Sequence, residues 1–224
     1  FRESDNNKEW LFFMLVFCTF MYTVVKFAFT KEFDSTIKAF TNFKLAQQLY
    51  RDREIIQNIP AILMNMGFVL TLAVLVYQLT AFTGIELTQR PLGFVLIIGG
   101  FISLILIVRI FIIKFLGWLF PLKSTTDYYA FNLMLANRIN GLVLLPLMFV
   151  VSFASTSISK PFLMISSTVV VLFYVYKLAR GYILAKDFFR HHKFHIILYI
   201  CTFEISPVLL FAKVFTDNWH KFIT

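Results

Sequence analysis

The amino-acid sequence predicts an all-α fold, namely a polytopic bundle of transmembrane helices with about six spans and an amphipathic helix at the inner surface. Of its 224 residues, 59% are hydrophobic and 15% are charged, whereas soluble domains have about 45–50% and about 25%. The mean hydropathy is +0.77. Apolar segments close to the ~20 residues that cross a bilayer as a helix recur along the chain. The composition therefore excludes an ordinary soluble domain.

Six segments satisfy this length and composition. They are Trp10–Phe29, Ile59–Phe82, Gly93–Ile113, Gly141–Thr156, Pro161–Tyr176 and Phe194–Phe215. The fourth and fifth are short, so we expect them to extend into adjoining helical turns, and we interpret residues 157–160 as a short outer loop. We treat residues 10–215 as a single transmembrane domain, with a flank at 1–9 and a tail at 216–224. Because the chain begins with Phe1 rather than Met, we expect that the natural N-terminus is missing.

The basic residues predict the topology. The formal net charge is +9, from 21 Lys and Arg against 12 Asp and Glu. With both termini outside, fifteen of the 21 bases fall at the inner ends of the first and third spans or in the connections after the first, third and fifth spans. Such an excess marks the cytoplasmic side. Because the bases flank apolar segments, anionic lipid headgroups explain them better than nucleic acid does.

Residues 31–58 are too polar to span a membrane, but their apolar positions recur at helical spacing. Phe33, Ile37, Phe40 and Leu45 belong to this pattern, with bases between them. The pattern predicts an amphipathic helix that lies on the inner surface with its bases towards headgroups. The alternative is a helix packed against the protein's own membrane domain.

Glu204 and Pro207 lie inside the last apolar segment. At ~1.5 Å per helical residue, Glu204 is roughly 15 Å from either end. A carboxyl group at that depth is protonated, paired or facing a polar cavity. Pro207 lacks an N–H and leaves a carbonyl one turn earlier without its helical partner, beside Thr202 and Ser206. These residues form a candidate ion, proton or substrate site, or alternatively Glu204 joins two helices structurally.

Three polar residues of other spans are candidate partners for Glu204. Asn65 and Gln78 lie in the second span, and Arg109 lies late in the third. A long Arg side chain reaches along its helix, so a pair between Glu204 and Arg109 is our first expectation. Asn65 and Arg109 complete the predicted intramembrane polar site.

The basic stretch before the last span contains His191, His192 and His195. His191 and His195 have a spacing that suits metal ligands on one helix face. His195 and Glu204, however, are about half a turn out of phase and ~13 Å apart along one helix. We therefore favour boundary residues that face headgroups or cap a helix, and we predict neither a metal nor a cofactor.

A cluster of amides and one base marks the inner entry to the fourth span. Its members are Asn132, Asn137, Arg138 and Asn140. Such groups line a vestibule in some membrane proteins and bond to neighbouring helices in others, and we favour the second interpretation. Gly141 and Pro146 follow and permit a bend in the helix.

The sequence contains none of the common catalytic or nucleotide-binding motifs, including G-x-x-x-x-G-K-[ST], G-x-S-x-G, H-E-x-x-H and C-x-x-C. Both cysteines, Cys18 and Cys201, lie in apolar segments and are interpreted as small buried hydrophobes. An enzyme is therefore the less favoured class.

The last span also carries a resemblance. Its residues match a His-x-x-Leu-Tyr-x-Cys-Thr-x-Glu-Ile-x-Pro signature at His195, Leu198, Tyr199, Cys201, Thr202, Glu204, Ile205 and Pro207. In this signature, in Phe40–Gln48, in Asn140–Pro146 and in the spacing of its spans, the chain resembles an integral-membrane family of Bacteroidota known as domain of unknown function 4271. The resemblance implies a bacterial inner-membrane protein and supplies no activity.

The sequence is compatible with three functions. The first is a non-enzymatic subunit or assembly partner of an envelope membrane complex, because small loops and a large apolar perimeter favour other membrane chains as partners. The second is a small transporter or lipid-handling protein that uses Glu204 and the bend at Pro207. The third is an enzyme that acts on a lipid or isoprenoid at the basic inner face.

Overall fold

A computed structural model describes residues 9–51, 58–82, 91–119 and 123–186 of the chain. These residues form helices throughout, apart from the junctions between them. The helices are α1 (Glu9–Ala28), α2 (Thr30–Thr41), α3 (Phe43–Arg51), α4 (Asn58–Phe82), α5 (Pro91–Leu119), α6 (Lys123–Phe153) and α7 (Thr156–Lys186).

Five of these helices are long and apolar enough to cross a membrane. The spanning portions are Glu9–Ala28, Ile59–Phe82, Pro91–Leu119, Thr126–Phe153 and Ser157–Gly181. They correspond to the first five predicted spans, and the expected extension of the fourth and fifth is confirmed. The chain is therefore a multi-pass membrane protein. The sixth predicted span, Phe194–Phe215, lies outside the described residues.

Helix α6 lies at the centre of the described bundle. Within the spanning windows, 56% of α6 and 44% of α4 are buried, against 11% for α5 and 17% for α7. Helix α6 contacts every other described helix, and its closest neighbours are α4 and α7. Leu144 and Met148 of α6 are fully buried. The outer helices instead expose large apolar side chains, as bilayer-facing helices do.

Glycines allow α1, α4 and α6 to approach one another closely around Tyr22. A Cβ atom added at Gly67 would lie 2.7 Å from the Tyr22 ring, and one added at Gly141 would lie 2.3 Å from its hydroxyl and 2.7 Å from Cα of Phe68. Tyr22 is buried and donates a hydrogen bond of 3.3 Å to the carbonyl of Met64. Small residues at such contacts are the usual means by which membrane helices pack closely.

The predicted amphipathic helix over 31–58 is divided into two helices, α2 and α3. Asn42 between them has an extended conformation, with φ −117° and ψ 115°. Its N–H donates to the carbonyl of Lys38, and its Oδ1 accepts from the N–H of Lys44 at 3.0 Å. Asn42 therefore ends one helix and caps the next, because Asn side chains bond readily to nearby backbone groups.

The loop predicted at residues 157–160 is wrong, because those residues belong to the first turns of α7. The Ser159 hydroxyl shares its donor between the carbonyls of Val151 and Ala154, each 3.0 Å away, at the end of α6. This bond allows the turn between α6 and α7 to be shorter than the sequence indicated. Pro161 lies inside α7, where its missing N–H leaves the carbonyl of Ser157 without the usual helical donor.

Candidate functional site

The two short helices form a platform at one end of the bundle. The term platform refers below to residues 30–51, which comprise α2 and α3. The platform contacts α6, and Phe33, Ala39 and Ala46 are among its buried residues. Its Phe40 ring stacks on Phe173 of α7, with centroids 5.5 Å apart. The structure therefore favours the alternative in which the amphipathic segment packs against the protein's own membrane domain.

Arg180 of α7 fastens the platform to the bundle. Its guanidinium donates to the carbonyls of Ala39 and Phe40, both at 3.2 Å, and to the Tyr176 hydroxyl at 2.9 Å. The Tyr176 hydroxyl in turn donates to the Phe40 carbonyl at 2.8 Å. These carbonyls belong to the last turn of α2. Carbonyls at that end of a helix have no intrahelical N–H to accept from, and they carry the negative end of the helix dipole. A cation from α7 thus caps α2.

Lys177, one turn earlier in α7, joins α7 to α6. It is 9% exposed, and its ammonium donates a short hydrogen bond to Oδ1 of Asn137. The same ammonium lies 5.6 Å from the centroid of the Phe68 ring on α4, a cation–π geometry. A buried lysine therefore lies where α4, α6 and α7 meet.

The polar residues predicted on α6 do not form one patch. Asn132, Asn137, Arg138 and Asn140 are all buried, between 1% and 8% exposed. Since successive helical residues are about 100° apart, the four side chains leave α6 on different sides. Asn132 donates to the carbonyl of Tyr128 in its own helix at 2.9 Å, whereas Asn137 reaches Lys177. Asn132 therefore bonds within α6 and Asn137 joins α6 to α7, while the interpretation of the whole cluster stays a prediction.

The proposed partners of Glu204 lie on two helices, α4 and α5, and their surroundings differ. Gln78 donates to the Ser152 hydroxyl and so joins α4 to α6. Arg109 is half-buried on α5. Asn65 is half-buried on α4, and its Oδ1 is buried without a hydrogen-bond partner among the described residues. The rest of the intramembrane site, Glu204, Pro207, Thr202 and Ser206, lies outside the described residues, and pairing of Glu204 with Arg109 stays a prediction.

The histidine-bearing stretch also lies outside the described residues, with His191, His192 and His195. Within the described part of the chain, no three His, Cys, Asp or Glu residues come together as metal ligands. Cys18 is a free, buried thiol, as its apolar segment predicts.

A half-open cleft of about 550 Å³ separates α4 from α5, and α6 forms its floor. We call it the α4–α5 cleft. It is mainly apolar, with Asn65, Ser103 and Asn137 as its polar lining residues. Gly99 and Gly100 form part of its α5 wall. Because Asn137 bonds to Lys177, a buried positive charge lies one hydrogen bond behind this cleft.

Lys177, Arg180 and Tyr176 were not predicted as site residues. The fifth span was predicted to end at Tyr176, and Lys177 and Arg180 were assigned to the inner connection that follows it. The signal that identifies them is spacing, since Phe173, Lys177 and Arg180 recur at helical intervals and continue the face of α7 past the predicted boundary.

A protein-family model matches residues 11–215 of the chain, and that family is described as Domain of unknown function (DUF4271). This match covers four of the five described spans completely and the first one from residue 11 onwards. No curated protein and no solved structure matches the chain.

Proposed function

Because the chain belongs to this family, whose description assigns no activity, we propose a function from the geometry of the molecule. The chain is a non-enzymatic protein of the bacterial inner membrane that acts as a subunit or assembly partner of an envelope membrane complex. The platform is the surface that the partner binds.

The observation that carries this proposal is the attachment of the platform by Arg180. An amphipathic helix that only rests on lipid needs no bond to the protein. Here Arg180, which is 7% exposed, donates hydrogen bonds to the end of α2, and Phe40 stacks on α7. This attachment holds the platform in one orientation relative to the spans. A surface of fixed orientation suits binding of a protein partner, which requires a defined arrangement of contacts.

The charge of the platform indicates the chemistry of that partner. The platform exposes four bases, Lys31, Lys38, Lys44 and Arg51. Its acidic side chains are Asp34, which is exposed, and Glu32, which is half-buried. Ile37 and Leu45 are 38% and 40% exposed beside the bases. A basic surface with apolar positions fits an acidic surface of another membrane chain, because charge complementarity directs association.

The outer spans leave room for such a chain inside the bilayer. Helix α5 is 11% buried over its spanning window, and it exposes aromatic residues such as Phe101, Phe111 and Trp118. Aromatic and apolar side chains of this kind pack against lipid or against a neighbouring helix. This face supports lateral association but does not by itself define the partner.

The test is a pull-down of the tagged full-length protein in mild detergent, followed by mass spectrometry. The variant is the double charge reversal Lys38→Glu/Lys44→Glu, and Lys38→Gln/Lys44→Gln is its charge-neutral companion. Lys114→Glu is the matched control, since Lys114 is an exposed base of α5 that is not part of the platform. Size-exclusion chromatography shows whether each variant folds.

We expect the charge reversal to reduce recovery of a specific membrane chain by more than about tenfold, the neutral pair to reduce it less, and the control to leave it unchanged. The proposal is refuted if the wild-type protein is extracted alone under gentle conditions. It is equally refuted if the reversal removes bound phospholipid while the co-purifying chains stay the same, because headgroups would then be the ligand of the platform.

A further inference from the structure

We propose that the α4–α5 cleft binds one acidic phospholipid, with an acyl chain along the apolar walls and the headgroup at Asn65 and Asn137. This inference is independent of the proposed function, because it concerns a different surface. Ligand pockets commonly have volumes of about 300–1,000 Å³, and the cleft, at about 550 Å³, falls within that range.

The cleft is long enough to hold an acyl chain of one leaflet. On α4 its lining residues run from Ile62 to Leu70, from one turn after the helix start to its middle. Eight helical steps cover about 12 Å, whereas on α5 the lining residues run from Leu96 to Ile110, and those fourteen steps cover about 21 Å. The end of the cleft at Ile62 lies towards the platform, and the end at Leu70 lies at mid-bundle. An acyl chain that enters from the platform side therefore has an apolar path along α5 of at least the ~15 Å that one leaflet requires.

Two adjacent glycines lie on the α5 wall of the cleft, and the second of them borders open space. A Cβ atom at Gly99 would make ordinary contacts of 3.8 Å with Ala73 and 3.9 Å with Val69, so α5 rests on α4 there. A Cβ atom at Gly100 would meet nothing within 4 Å. An exposed helical Gly costs about 1 kcal/mol relative to Ala. Space beside a residue of such low helix propensity is consistent with a ligand that occupies it.

The polar end of the cleft offers one donor and one acceptor. Lys177 occupies Oδ1 of Asn137, so the group that Asn137 offers a ligand is its Nδ2 donor, beside a buried positive charge. A donor in that setting favours an anionic oxygen. Oδ1 of Asn65 is a buried acceptor with no hydrogen-bond partner in the described part of the chain, and it suits a hydroxyl. A phosphate with a neighbouring hydroxyl supplies both groups.

The experiment is native mass spectrometry of the delipidated full-length protein after exposure to vesicles of phosphatidylglycerol or of phosphatidylcholine. Gly100→Leu adds a side chain to the cleft wall at a position where a Cβ atom would meet nothing within 4 Å. Val108→Phe is its control, because Val108 is an exposed α5 residue that does not line the cleft. Asn65→Leu removes the acceptor, and Gly100→Ala is available if the larger substitution prevents folding.

We expect wild type and Val108→Phe to retain one phosphatidylglycerol molecule in preference to phosphatidylcholine. Gly100→Leu weakens that binding by about tenfold, or ~1.4 kcal/mol, and Gly100→Ala weakens it less. Asn65→Leu reduces the preference between the two lipids and leaves total bound lipid little changed. Equal retention of both lipids by the wild type overturns the inference, as does Gly100→Leu that folds and binds like the control.

A final arm separates a lipid from a free anion. Glycerol phosphate has the same phosphate and hydroxyl chemistry but no acyl chain. If the apolar walls contribute as proposed, glycerol phosphate at millimolar concentration does not displace phosphatidylglycerol. Displacement by glycerol phosphate contradicts the inference, because the polar end alone would then account for binding.

Discussion

The hydroxyl of Tyr176 donates a hydrogen bond of 2.8 Å to the carbonyl of Phe40, across 136 positions of the sequence. Arg180 donates to both of these groups, so one Tyr and one Arg of α7 hold the end of α2. The contact converts a surface helix into a fixed part of the membrane bundle. The orientation of the basic platform therefore depends on side chains in the last described span.

The first prediction concerns this attachment. Arg180→Met keeps a long apolar side chain but removes the charge and its hydrogen bonds, each of which contributes about 1.5–3 kcal/mol when a charged group is involved. We expect amide hydrogen exchange in Thr30–Thr41 to rise sharply, while exchange in α4 stays low. Tyr176→Phe has a smaller effect in the same direction, because Arg180 still reaches the backbone of α2. If exchange in α2 matches the wild type in both variants, the attachment is unimportant.

The second prediction concerns the close packing at Tyr22. Gly141→Ala places a methyl group 2.7 Å from Cα of Phe68, which is backbone and cannot rotate away. Overpacking of this kind costs about 1–3 kcal/mol, so we expect a lower melting temperature in detergent. Gly67→Ala instead meets the Tyr22 ring, and it is relieved in part by a second change, Tyr22→Leu.

The comparison is made by thermal unfolding of Gly67→Ala, Gly141→Ala and Tyr22→Leu, and of the two double variants that combine Tyr22→Leu with each glycine substitution. Tyr22→Leu is expected to rescue Gly67→Ala but not Gly141→Ala, because the α4 backbone opposes the second substitution. Equal rescue of both would show that the side chain of Tyr22, rather than the backbone of α4, limits the approach of the helices. Gly100→Ala is the control, with unhindered space around the new methyl group.

The third prediction concerns the bond between Lys177 and Asn137. Asn137→Leu removes the acceptor of a buried ammonium, and the loss of a hydrogen bond to a charged group costs about 1.5–3 kcal/mol. Asn137→Asp keeps an acceptor at the same place and adds an opposite charge, so it is expected to be tolerated far better. The measurement is the free energy of unfolding in detergent by denaturant titration. Similar losses for Leu and Asp would mean that the shape of the amide, and not its acceptor, matters.

The spans were predictable because the bilayer constrains composition directly. Apolar length identifies a helix that crosses a ~30 Å hydrocarbon core, and all five described spans follow that signal. The family was also evident from the residues around Glu204, and the match over residues 11–215 confirms it. Neither the apolar length of a span nor the family motif depends on which side chains of different helices contact one another.

The site was less predictable because counts of basic residues do not distinguish a loop from a buried base. Lys177 and Arg180 were assigned to an inner loop, although both are buried in α7. What keeps them in the bundle is a set of acceptors far away in sequence, the amide of Asn137 and the carbonyls of Ala39 and Phe40. Such acceptors become visible only when the packing of α2, α6 and α7 is known. The break at Asn42 was likewise hidden, since the apolar pattern continues across it.

The fourth prediction concerns Glu204 and Arg109. Arg109 is half-buried on α5, and Glu204 belongs to the last apolar segment, outside the described residues. If the two form an ion pair in the membrane, Glu204→Arg and Arg109→Glu each leave two like charges facing one another at low dielectric, and each lowers the yield of folded protein strongly. The double exchange restores opposite charges and is expected to recover most of that yield. Glu204→Gln, which is neutral, serves as the control for loss of the carboxylate alone.

The readout is the fraction of monodisperse protein after extraction, measured by fluorescence-detected chromatography of a tagged chain. Double-mutant coupling beyond about 0.5 kcal/mol indicates direct contact, since distant sites are usually additive within that limit. Recovery in the exchange variant, with both single reversals impaired, would establish the pair. Additive losses would instead assign Glu204 to another partner, and the buried cations Lys177 and Arg180 would be exchanged next by the same procedure.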